Sequence, residues 1–220
     1  MPVKNPPGMP AGRWNSNSDR MGMPTILYLH GFASSGASGT VELLRREFHA
    51  RPEADRLRIV APDIPVDPVE ALPYLRRIVE KEDPILIIGT SMGGMYAQQL
   101  RGITRVCINP AFGISKLYSL LHVGKYKWLS RRQDGATEFH VYKETIEHFA
   151  EMEAHQFEGI TEDDRALCFG FFGDADTIAP GNRPIFEKYY PGQSQVFAGG
   201  HRLNDESVKR VLLPFINSLL

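Results

Sequence analysis

The sequence predicts an α/β fold: a mainly parallel sheet flanked by helices, with one insert. Three observations carry that expectation. The strand-like segments are continuous apolar runs, the pattern of strands buried on both faces. These runs alternate with helical segments, as crossover connections require. A glycine-flanked serine stands where one run passes into a helix, in "ILIIGTSMGGMYAQQL" (85–100).

Residues 1–23 are rich in Pro, Gly, Asn and Ser and lack periodicity, so they read as a tail; Trp14 is its large anchor. They contain no apolar stretch of the kind a secretory signal needs. The domain proper is taken as 24–220. "TILYLH" (25–30) is the first strand, and Val41, Leu44 and Phe48 then recur at helical spacing. "LRIVAP" (57–62) is a second strand. The helix over 67–83 has Asp67 as N-cap, Pro68 at its first position and Glu70 at its third. Pro73 within it implies a kink or a later start. Strand "ILIIG" leads into a helix over 92–101, and "RVCIN" (105–109) follows.

From about 111 to 165 the alternation breaks. Leu117, Leu120 and Leu121, then Tyr142, Ile146 and Phe149, form two helical stripes, so a helical cap insert is expected. "LCFGFFG" (167–173), a helix near 182–190, "SQVFA" (194–198) and a last helix from about 205 complete the pattern. That helix carries Val208, Val211, Leu212 and Phe215 on one face.

With 220 residues, 42% hydrophobic content and a net charge of −1, the chain reads as one ordinary globular domain. Near-neutrality argues against nucleic acid or an anionic membrane as partner. The apolar runs are too short to span a bilayer. Cys107 and Cys168 lie in apolar runs, which suits reduced core thiols and a cytoplasmic address.

Chance alone supplies Gly-x-Ser-x-Gly in about one chain in ten of this composition. The strand-to-helix setting sharpens the signal, because a nucleophile elbow needs that corner and needs Gly89 and Gly93 to relieve crowding around it. Ser91 is therefore the candidate nucleophile. A hydroxyl needs a base. His201 follows "FAGG" at the end of the last strand, where two glycines free the backbone to bring an imidazole over the strand ends. His49, His122, His140, His148 and His155 lie in charged or cap-like segments. The spacings of 8 and 7 among the last three do not match paired metal ligands, so no metal is expected.

"GDADTIAP" supplies the acid, either Asp174 or Asp176. Asp176 is favoured because it lies further out, in the loop expected to reach His201; Asp174 is placed to satisfy turn amides. The order Ser, Asp, His is that of α/β-hydrolases. Oxyanion donors are expected from the backbone N–H of Met92, at the start of the helix, and of Phe32, in the loop after the first strand. His30 is read as holding that loop, and Asp63, at the C-terminal end of another strand, as bracing a loop.

"ILYLHGFASS", "GTSMGGMYA", "INPA", "GDAD" and "GGHRL" resemble the YqiA/YcfP-like small bacterial esterases of the α/β-hydrolase superfamily. The resemblance covers roughly residues 25 to 220, least in the insert. It implies an α/β-hydrolase fold, no cofactor, and hydrolysis of a small-molecule carboxylic ester or thioester, with the nucleophile at Ser91, the base at His201 and the acid in "GDAD". A peptidase or amidase using the same triad, and a binding protein that has lost chemistry, are the alternatives. Phe112, Leu121, Trp128 and Phe149 of the insert are expected either to line an acyl pocket or to form the insert's own core.

Overall fold

Side chains alternate across a strand, so a strand with helices on both faces is apolar at every position. The computed structural model describes residues 23–117 and 121–219. Its strands are β1 (Thr25–Leu29), β2 (Arg58–Val60), β3 (Leu86–Thr90), β4 (Thr104–Ile108), β5 (Gly124–Lys127), β6 (Glu138–Val141), β7 (Cys168–Gly173) and β8 (Ser194–Phe197). Six of them form one wholly parallel sheet in the order β2-β1-β3-β4-β7-β8. The helices are α1 (Gly39–His49), α2 (Pro68–Glu82), α3 (Met92–Gln99), α4 (Lys143–His155), α5 (Glu162–Ala166), α6 (Asn182–Tyr189), α7 (Asp205–Ser207) and α8 (Leu213–Leu219). A π-helical turn, Val208–Leu212, joins the last two.

Ile26, Tyr28, Ile88, Val106 and Phe171 face α1 and α8 in one core. Leu27, Leu29, Ile87 and Cys107 face α2, α3, α4 and α6 in the other. Each fully buried Leu, Ile or Phe contributes about 1.5–3 kcal/mol. The chain runs outward from β1 to β2 and then crosses back to β3 on the other side of β1. The strand order thus reverses between β1 and β3, and a crevice opens there between the loops that follow them. Phe32 and Ser91 belong to those two loops. Topology alone brings them together.

Asp67 caps α2 by accepting from Val69 N–H at 2.9 Å, and the helix runs through Pro73 without a later start. α3 ends at Gln99, two residues early, and β4 begins one residue early, at Thr104. The insert departs furthest from expectation. It holds α4, which carries Ile146 and Phe149; of the first stripe, the described members Leu117 and Leu121 lie outside helices, with Leu121 N–H donating to Leu117 O at 2.9 Å. A 3-10 turn covers Ile114–Lys116 and ends at Leu117; Leu120 and the N-terminal tail, Trp14 included, lie outside the described residues. Between turn and helix stands an antiparallel hairpin, β5–β6, in which Tyr126 pairs with Phe139. The insert rejoins the sheet through a buried ion pair, Arg105 Nη1 to Asp164 Oδ1 at 2.7 Å. Truncating one partner there costs about 3–5 kcal/mol, because the other charge stays buried.

Candidate active site

Ser91 sits between β3 and α3 with φ 54° and ψ −118°, a strained backbone for a residue with a Cβ. The surroundings enforce the corner. Ser91 N–H donates to Ile108 O at 2.9 Å, and its carbonyl accepts from Met95 N–H and Ala111 N–H, each at 3.1 Å. Glycine is required on both sides for a reason sharper than side-chain crowding. A Cβ on Gly89 would lie 2.1 Å from the Gly93 carbonyl oxygen, and one on Gly93 would lie 2.1 Å from that of Leu29 in β1. Helix α3 is pressed directly against the sheet backbone.

His201 Nε2 lies 2.8 Å from Ser91 Oγ, and His201 Nδ1 lies 2.9 Å from Asp176 Oδ2. The side chains of His201 and Asp176 are only 8% and 5% exposed, so water competes poorly for these bonds. The other carboxylate oxygen of Asp176 accepts from Ile178 N–H at 2.8 Å and Ala179 N–H at 3.0 Å, which fixes the carboxylate plane. Asp174 is turned elsewhere: its Oδ1 accepts from Gly199 N–H at 3.0 Å, joining the loop after β7 to the loop after β8.

One residue here was not singled out from the sequence. Asn109, just past β4, is 1% exposed and has φ 42°. Its Nδ2 donates to the carbonyls of Gly200 and His201, both at 3.0 Å, and its Oδ1 accepts from Gly173 N–H at 2.7 Å. It therefore links the roots of the loops that carry Asp176 and His201. The only sequence signal was the "INPA" motif, quoted for resemblance and given no role.

Met92 follows Ser91 directly, Phe32 lines the cleft beside Ser91, and a Cβ on its neighbour Gly31 would lie 3.3 Å from the Ser91 Cβ. Neither the Phe32 N–H nor the Met92 N–H donates to an acceptor among the described residues, leaving both free for a ligand oxygen. Met92 opens α3, where a first-turn N–H has no helical partner. His30, 1% exposed, donates from Nδ1 to Gly31 O at 2.8 Å and accepts Ile64 N–H on Nε2 at 3.0 Å. Burial, partly offset by the Gly31 bond, lowers its pKa to about 4, so it is neutral and fixed as one tautomer. Asp63 accepts Gly36 N–H at 2.8 Å and Gln133 N–H at 2.6 Å. Both residues brace the loop after β1.

A cleft of about 380 Å³ opens beside Ser91 and His201, with Tyr28, Phe32, Thr40, Leu129, Ser130 and Leu203 among its walls. None of the four insert residues considered for an acyl pocket is in the cleft wall, which the insert reaches through Leu129 and Ser130. Phe112, Leu121 and Phe149 are buried in the core between insert and sheet, not in the cleft wall. Trp128 stacks beside Phe139 at 4.0 Å and under the Arg132 guanidinium at 4.2 Å. Of these two expected roles, the insert's own core is what the structure contains. His148 pairs with Asp67 and His155 with Glu151 and Glu158, so the candidate histidine run is dispersed. Among the described residues, no cluster could hold a metal, and no helix is long and apolar enough to cross a membrane.

This parallel sheet, with its serine corner at the strand-order reversal, has the α/β-hydrolase fold. Residues 25–127, from β1 to the end of β5, match the model of a family described as Uncharacterised protein family (UPF0227). The fold is similar to that of Est1E from Butyrivibrio proteoclasticus (TM-score 0.61, 13% identity, covering 92% of this chain and 90% of that one). A monoacylglycerol lipase from Paleococcus ferrophilus gives TM-score 0.61 at 17% identity, covering 90% and 95%. A thioesterase domain from the curacin biosynthetic pathway gives 0.54 at 14%, covering 89% and 92%.

Proposed function

We propose that this protein is a serine hydrolase that cleaves a carboxylic ester or thioester through an acyl-enzyme. The observation that carries the reading is the unbroken run from Ser91 Oγ through His201 to Asp176, at 2.8 and 2.9 Å, on a strained elbow. Esterase, lipase and thioesterase names among the structural neighbours support it. His201 Nε2 takes the Ser91 proton as Oγ attacks the carbonyl carbon. Asp176 keeps the other proton on Nδ1 and favours the imidazolium as it forms. The Phe32 and Met92 N–H groups donate to the developing oxyanion. Collapse expels the alcohol or thiol, protonated by His201, and water then deacylates Ser91 through the same groups.

A fluorophosphonate probe should label Ser91, and a panel of p-nitrophenyl esters, acyl thioesters and anilides should show turnover of the first two. Protein that neither labels nor turns over any ester would be a binding protein on a hydrolase fold. Turnover confined to the amides would make it a peptidase or amidase.

A further inference from the structure

The loop after β1 is gripped from outside the sheet. The Phe32 ring meets Tyr126 at 5.2 Å and Phe139 at 5.5 Å, edge-on to both. Those two rings are cross-strand partners in the hairpin and stack on each other at 5.3 Å. The Ala33 carbonyl accepts Leu129 N–H at 2.7 Å. Ser35 Oγ donates to Arg131 O at 2.8 Å and lies 3.0 Å from Ser130 Oγ. Asp63 closes the ring, holding Gly36 N–H with one oxygen and Gln133 N–H with the other.

We infer that the hairpin arm of the insert holds the oxyanion loop in its working shape, with Tyr126 and Phe139 as positioning residues for the Phe32 N–H. This rests on the hydrolase reading above. Ala33 has φ 59°, a left-handed backbone that a residue with a Cβ does not hold unaided. The insert contacts the chain on both sides of that strained residue, through the Phe32 ring before it and the loop from Ser35 after it. The orientation of the Phe32 N–H follows from this grip, and a donor tilted or moved by half an ångström loses much of its bond to an oxyanion. Tyr126 and Phe139 are absent from the cleft wall, so their effect falls on the rate of chemistry and not on substrate binding.

The test uses Tyr126→Ala, Phe139→Leu and Tyr126→Phe, each confirmed as folded by thermal unfolding. Tyr126→Phe keeps the ring and removes only the hydroxyl that bonds the His122 backbone. On a p-nitrophenyl ester, Tyr126→Ala and Phe139→Leu should lower kcat by about 10- to 100-fold, below the full loss of one oxyanion donor. KM should stay within about threefold, and a trifluoromethyl ketone that mimics the tetrahedral intermediate should weaken in step with kcat. Tyr126→Phe should behave as wild type. Hydrogen exchange of the amides over 31–36 should accelerate in the first two variants, a readout that needs no activity. If Tyr126→Ala does not fold, Phe139→Leu carries the test. Unchanged exchange in folded Phe139→Leu overturns the inference, as does a raised KM at constant kcat. A wild-type protein with no esterase activity defeats the hydrolase reading instead, and exchange still decides whether the clamp exists.

Discussion

The loops that carry His201 and Asp176 are tied together from within the sheet, whereas the loop after β1 is tied from without. On the first side, Asn109 at the end of β4 reaches both neighbouring loops, bonding Gly173, Gly200 and His201. Asp174 adds a strap to Gly199. Every partner lies at the end of a sheet strand or in the loop after it. On the second side, the loop after β1 carries a left-handed alanine and depends on a hairpin some 95 residues downstream, as the Ser35–Ser130 separation shows. On the proposed function, the pairs that would relay the proton are thus built into the fold, while the donor to the oxyanion would be held by the insert. An insert of this kind can alter rate without touching the substrate.

The largest effects should come from the side built into the sheet. Ser91→Ala should cost on the order of 10⁶ in turnover with the fold intact, since the remaining groups act only as a unit. Asp176→Asn should lower kcat by about 10⁴ near neutral pH, by leaving the imidazole in the wrong tautomer. Asp174→Asn, by contrast, weakens one exposed strap and should cost about 1 kcal/mol of stability with little loss of rate. Kinetics of the two asparagine variants decide between the carboxylates; a collapse confined to Asp174→Asn would reverse their roles.

Asn109→Asp probes the link between the loops. It keeps the acceptor for Gly173 N–H but sets a carboxylate oxygen against the carbonyls of Gly200 and His201. Displacement of His201 by about 1 Å should lower kcat by roughly 10²-fold. The pH–rate profile should shift as well, because the imidazole acquires a new charged neighbour. A folded variant with wild-type kcat and an unmoved profile would show that the base loop holds itself.

Much of the side that carries Ser91, Asp176 and His201 was legible in the sequence. An elbow needs glycines because backbone approaches backbone, and that requirement leaves a mark in the sequence at Gly89 and Gly93. The N-cap at Asp67 and the chain order of Ser91, Asp176 and His201 were equally local signals. Asn109 was not readable in this way, since its role exists only because β4 lies between β3 and β7, and strand order is not written in any one segment. The hairpin hid for a different reason. "GKYKW" and "EFHV" alternate polar and aromatic residues over only four or five positions, separated by a long polar loop. The first leucine stripe was a weaker signal, because three leucines fit a helix without specifying one; its described members, Leu117 and Leu121, lie outside helices.

The loop after β1 should be the more sensitive to acid. His30 is buried neutral with a pKa of about 4, against an ordinary 6.5. A depressed folded pKa means that the unfolded chain takes up the proton first. The stabilisation is therefore complete above pH 6.5, shrinks as pH falls, and is exhausted near pH 4, by about 3 kcal/mol in all. Urea midpoints of wild type and His30→Gln should converge over that window. A difference that stays constant from pH 7 to pH 4 would mean that His30 is protonated in the native state, and that its bond with Ile64 N–H is not what holds the loop.

The smallest effect separates an insert that holds from one that selects. Leu129 lines the mouth of the cleft and is 62% exposed, whereas Leu121 is 1% exposed in the core beneath. A well-filled methylene discriminates by about 10- to 200-fold, but an exposed wall residue contacts the substrate on one side only. Leu129→Ala should therefore change the ratio of kcat/KM between short and medium acyl esters by only about 2- to 5-fold, at unchanged stability. Leu121→Ala should do the reverse: it should cost about 2–5 kcal/mol as a core cavity and leave the acyl-length ratio as it was. A large selectivity change from Leu121→Ala would mean that the acyl group penetrates the insert core after all, and would return the insert to the role of a pocket.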